Sequence, residues 1–81
     1  MTDLTFEQVV KIISADVMEQ YEQVRQSGIT NMFDQGGVMV VAEDEEFYDL
    51  LAIALDRDKY VLLLSNFGKL MKHYGITQEA R

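Results

Sequence analysis

The chain has no cysteine and no proline. Without cysteine no disulfide can staple the fold, and zinc-finger and thiol chemistry are excluded. That fits a cytoplasmic setting. Basic residues are scarce. Seven lysines and arginines face fourteen acids, for a net charge of -7. Nonspecific phosphate binding needs the opposite sign, so direct nucleic-acid contact is not expected. An anionic membrane surface is disfavoured for the same reason. Long apolar runs are also missing, and none approaches the ~20 residues of a membrane span. The opening Met1-Thr2-Asp3 carries no basic or apolar leader pattern, so no signal peptide is expected.

What is present is an ordinary globular balance, 48% hydrophobic and 26% charged, which sets aside disordered and collagen-like readings. With 81 residues there is room for one domain. Its expected radius of gyration is roughly 12 Å. The charge is uneven along the chain. Residues 1–56 hold twelve acids against two bases, a balance of -10. Residues 57–81 hold five bases against two acids, a balance of +3. Between Arg25 and Arg57 lie seven acids and no base. Folding can mix such charges in space, or leave a polarity that steers a partner.

Thr5-Phe6-Glu7-Gln8 reads as a helix-starting capping box, with Leu4 and Val9 at the positions of a hydrophobic staple. Phe6, Val10, Ile13, Val17, Tyr21 and Val24 follow at helical spacing. The pattern predicts one helix of about 22 residues, with room for a bend near Ser14 or Asp16, closed by Gly28. Asp34 is the better of two caps, with Thr30, for whatever follows the connection from Ile29. Val38 to Ala42 fits either a buried helix or a short strand. Glu43 to Glu46 would suit the N-terminus of a further helix through Leu55. Asp58 would cap a last helix carrying Tyr60, Leu63, Leu64, Phe67, Leu70, Met71 and Tyr74, stopped by Gly75.

The expected fold is therefore all-α, a compact bundle of three to four short helices in a single domain over residues 1–75. Residues 76–81 form a frayed tail in this reading. The alternative is α+β, with a short hairpin from 38–42 and 60–64.

The stretch Ser27-Gly28-Ile29-Thr30-Asn31-Met32-Phe33-Asp34 resembles the S/G-x-T-N-M-F-D signature of small phage and prophage proteins of unknown function. Val24-Arg25 precede it at the matching place. Val38, Ala42, Phe47-Tyr48-Asp49-Leu50 and Tyr60 follow it, so the resemblance covers about Val24 to Phe67. The chain departs from that pattern in its longer N-terminal helix and in Gly36-Gly37. The resemblance implies a helical domain in a viral accessory setting and supplies no activity.

No catalytic constellation accompanies it. His73 is the lone histidine, and Ser14, Ser27 and Ser65 lie in no nucleophile-elbow context, so His73 reads as a helix-end residue. The acids from Glu43 to Glu46 lack the alternation and glycine of a calcium loop. Gly36-Gly37 lacks the lysine and hydroxyl of a phosphate loop. The chain is expected not to be an enzyme and to need no cofactor or metal.

An interaction role remains. Asn31, Met32, Phe33 and Asp34, with Glu43, Asp44, Glu45, Glu46 and Asp49, are the candidate partner-binding residues. Met32 and Phe33 admit a plainer reading as core plugs beneath the connection. Ile53, Val61 and Leu62 lie off the main apolar stripes and are candidates for self-association, most simply a homodimer. The expected function is non-catalytic: binding and modulating a host protein. The alternative is an acidic mimic of nucleic acid that inhibits a DNA-binding or defence enzyme.

Overall fold

The capping box forms as read. Thr5 Oγ1 accepts the Gln8 N–H at 3.3 Å while Gln8 Oε1 accepts the Thr5 N–H at 2.9 Å. It opens α1, Phe6–Ile12. A computed structural model describes residues 4–76 of the chain. Within them lie five further helices: α2 Ala15–Ser27, α3 Gln35–Asp44, α4 Tyr48–Ala54, α5 Arg57–Ser65 and α6 Phe67–Tyr74. The architecture is all-α, with six short helices in place of three to four. Among the described residues there is no strand, so 38–42 and 60–64 are helical and the hairpin alternative falls.

Two of the expected helices are broken. The first breaks outright at Ile13-Ser14. Ile13 is extended and fully buried, and Ser14 Oγ starts α2 afresh by accepting the Val17 N–H. The break leaves carbonyls of the first helix without their usual partners. The Tyr74 hydroxyl, from α6, donates to Ile13 O at 2.6 Å and lies 3.1 Å from Val10 O. Phe6 packs edge-on to His73 at 5.4 Å, so α1 lies against α6. The last expected helix breaks at Asn66, whose side chain turns back to Leu62 O. Its apolar stripe survives the break, since Tyr60, Leu63, Leu70 and Met71 are all buried.

The remaining corrections concern helix ends. Asp56, not Asp58, caps α5, accepting the N–H groups of Asp58 and Lys59. Gly28 (φ 68) and Gly75 (φ 67) end α2 and α6 in the left-handed conformation, as expected. Leu4 is exposed. Ile76 is half-buried against the core and its N–H reaches Met71 O, so the chain is held to that point. The rest of the expected frayed tail, 77–81, lies outside the described residues.

The core is continuous through α2, α4, α5 and α6, with Met18, Leu50, Leu63 and Leu70 at its centre. Helices α3 and α4 form the most extensive pairing, and α2 crosses both. The Cα radius of gyration is 11.9 Å, as the length predicts.

Candidate functional site

The connection from α2 to α3 is tied at almost every residue. Asn31 makes an Asx turn, its Oδ1 accepting the Phe33 N–H at 2.9 Å and its carbonyl accepting the Asp34 N–H at 2.9 Å. Asp34 Oδ1 accepts the Gly37 N–H at 3.1 Å and caps α3, as expected. The buried Tyr60 hydroxyl donates to Met32 O at 2.5 Å. Burial pushes the Tyr60 phenol well above its ordinary range, so it stays a proton donor. Gly37 lets the connection lie close on α3, because a Cβ there would collide with Thr30 Oγ1. The glycine pair thus serves backbone approach.

This scaffold sorts Met32 from Phe33. Met32 is buried at 7% exposure and plugs the core. Phe33 is 81% exposed, the most exposed large apolar side chain among the described residues. Ile29, earlier in the same connection, is 66% exposed. An aromatic on a turn with fixed hydrogen bonds has little freedom left to lose on contact, which is how interface anchors gain affinity.

The acids from Glu43 to Glu46 occupy the opposite helix end from the one expected. Glu43 and Asp44 are the last residues of α3, Glu45 is its C-cap and Glu46 follows with φ 60. The Phe47 N–H reaches Ala42 O at 2.7 Å and the Glu46 N–H reaches Glu43 O at 3.2 Å, a Schellman turn. The reason is local geometry: the left-handed residue ends α3, and Phe47 starts α4 without a side-chain cap. All four acids are exposed, and none forms an ion pair among the described residues.

The N-terminus of α4 is instead capped from α2. Gln20 Oε1 accepts the Leu50 N–H at 2.9 Å, and Gln20 Nε2 donates to Asp49 Oδ2 at 3.2 Å. Asp49 is therefore placed as a helix-end acid, in the first turn of α4. The structure does not bring all partner-binding candidates together. Asn31 to Asp34 stand at the N-terminal end of α3, and Glu43 to Glu46 at its C-terminal end, roughly 15 Å along the axis.

Beside the acid turn, Val24, Ile29, Val41, Glu45 and Phe47 help line a cavity of about 130 Å³. Sequence reasoning missed it. The exposed apolar Ile29 and the half-buried Val41 and Phe47 come from three separate segments, and only folding joins them.

The self-association candidates divide. Ile53 is buried in the chain's own core, Leu62 is half-buried and Val61 is exposed. Ile53 is therefore closed to a partner. His73 sits in the last turn of α6 against Phe6 and Tyr74, a helix-end placement. Ser14 caps α2 and Ser27 Oγ donates to Val24 O, so both hydroxyls have structural partners. Among the described residues no three histidines or acids are grouped to hold a metal ion. Among them too, no helix is long and apolar enough to cross a membrane.

A family model matches residues 13–62, from the break after α1 into α5. The chain belongs to the family described as Domain of unknown function (DUF5049). The DUF5049 segment contains the tied connection, the acid turn and the cavity between them. Among curated proteins and among solved structures nothing matches the chain.

Proposed function

We propose that this DUF5049 chain is a non-catalytic interaction domain that grips a protein partner with Phe33. The exposure of Phe33 on a turn tied by Asn31, Asp34 and Tyr60 carries the reading. An exposed aromatic held on a fixed turn is the kind of rigid residue that anchors protein interfaces. The resemblance to phage and prophage proteins supplies the setting: an accessory protein acting on a host protein in the bacterial cytoplasm. No cofactor, membrane or direct nucleic-acid contact enters this reading. The test is capture from host lysate with wild-type and Phe33→Ala chains of equal helicity. The expected result is a defined partner held by the wild type and bound at least tenfold more weakly by the variant. Recovery of no specific partner, or equal recovery by both, overturns the reading.

A second reading is the acidic mimic of nucleic acid. Its support is the four exposed acids of the turn after α3. Asp34 and Asp56 give it less, because their carboxylates cap helices. Neutralising Glu43 to Glu46 together should then abolish inhibition of the nuclease concerned. A homodimer would draw on Val61 and Leu62 without Ile53. Sedimentation of the wild type beside Val61→Ser should show a dimer that the variant dissociates.

A further inference from the structure

The turn after α3 breaks two rules of helix ends at once. Cations are favoured at a helix C-terminus, where the macrodipole leaves about half a negative charge, yet this one carries Glu43, Asp44 and Glu45. The left-handed residue of a Schellman turn is usually glycine, yet here it is Glu46 at φ 60. The contrast lies within the same molecule. Helix α6 ends with the same two hydrogen bonds, Ile76 N–H to Met71 O and Gly75 N–H to Lys72 O. There the left-handed residue is Gly75, and Lys72 and His73 complement the dipole. The fold thus uses the ordinary solution at α6 and, at a turn with the same hydrogen bonds, departs from it at α3. Local rules broken without structural return concentrate where a surface is used.

The neighbouring cavity supplies the rest. Its apolar wall is Val24, Ile29, Val41 and Phe47, its polar wall is Gln23, Ser27 and Glu45, and the sequence has no base between Arg25 and Arg57. A recess half apolar and half polar, edged by carboxylates without ion pairs and by a helix's negative end, suits an amphipathic cationic segment. We propose that this groove docks a basic segment of a partner protein, with an aliphatic side chain seated on Ile29 and Phe47. Flanking lysine or arginine of that segment then lies against Glu43 and Glu45 at the negative end of α3. Phe33 takes no part in this surface, so the groove stands or falls apart from the reading based on Phe33.

The experiment is an NMR titration of the full chain with the peptide Ac-Arg-Lys-Leu-Leu-Lys-Arg-NH₂. Two controls replace its leucines by serine or its basic residues by glutamate. The expected result is saturable binding of the first peptide alone, with shifts at Ile29, Val41, Glu45 and Phe47. Binding should weaken about tenfold in Glu43→Gln/Glu45→Gln and fall as salt rises. Those changes relieve like charge at a helix end, so the variant keeps its fold, and Ile29→Ser provides an independent loss on the apolar side. Phe33→Ala should bind the peptide as the wild type does. No saturable binding overturns the proposal. Equal binding of the serine peptide overturns it in favour of diffuse charge attraction. Concentration-dependent self-association that shifts the same residues without peptide overturns it in favour of a second copy.

Discussion

The Tyr74 hydroxyl closes the break between α1 and α2 from the far end of the described chain. Its removal in Tyr74→Phe leaves the Ile13 carbonyl short of a partner and should cost about 1–2 kcal/mol, read by urea denaturation. Glu22 shows the same economy. It is the buried charged residue of α2, held by both Arg25 Nε at 2.7 Å and Nη2 at 2.6 Å, and by Gln26. The Arg25 guanidinium also lies 5.8 Å over the Phe67 ring, linking α2 to α6. The Arg25 hydrogen bonds hold the Glu22 carboxyl below its ordinary 4.5, against the opposing effect of burial. A group whose folded pKa is depressed stabilises the fold above its unfolded pKa and loses that contribution as pH falls through the folded value. Stability should therefore decline below about pH 4.5, and Glu22→Gln should show a flatter acid limb in pH-dependent denaturation. The i,i+3 spacing of Glu22 and Arg25 is written in the sequence, but the burial of Glu22 and the reach of Tyr74 to Ile13 are not. In the sequence Arg25 stands as a boundary of the acidic stretch and as part of the approach to the signature, and Tyr74 as the end of a stripe.

Helix α4 depends on glutamines from its neighbours. Gln20 of α2 caps its N-terminus, and Gln35 of α3 donates to Ala54 O at its C-terminus at 2.5 Å. A helix of seven residues is too short to persist alone, so its ends matter. Gln20→Ala should cost about 1 kcal/mol by thermal or urea unfolding, comparable to the loss of an ordinary N-cap. The acid turn between α3 and α4 carries the opposite expectation. Glu46→Gly should raise stability by about 1 kcal/mol, because the left-handed conformation costs a residue with a Cβ about that much. An unchanged or lowered midpoint would mean that Glu46 has a stabilising contact of its own. Several local caps were readable, namely Thr5 with Gln8, Asp34 ahead of α3, Gly28 and Gly75, while the cap of α5, expected at Asp58, stands at Asp56. Caps arriving from about thirty residues away, as Gln20 does for Leu50, leave no local mark.

At the scale of the whole molecule, the ledger is thin. A chain of 81 residues should have a stability of roughly 4–12 kcal/mol. Leu63→Ala, at the fully buried centre, should remove about 3–4 kcal/mol, a large share of that stability, read as a lowered urea midpoint. Calorimetry should show one cooperative transition, because α2, α4, α5 and α6 share a continuous core. Spacing and composition alone gave the helical preference, the apolar stripes, the glycine stops of α2 and α6 and the overall size. Periodicity and capping are local, and burial follows the stripe even where Ser14 and Asn66 interrupt it. Three-dimensional packing alone decided the number of helices, since breaks at Ile13 and Asn66 are sustained by Tyr74 and by the core. It also decided that Glu43 to Glu46 end a helix instead of starting one. Finally, it separated Phe33 from Met32 and joined Ile29, Val41 and Phe47 into one groove, because neither exposure nor proximity across segments is written in spacing.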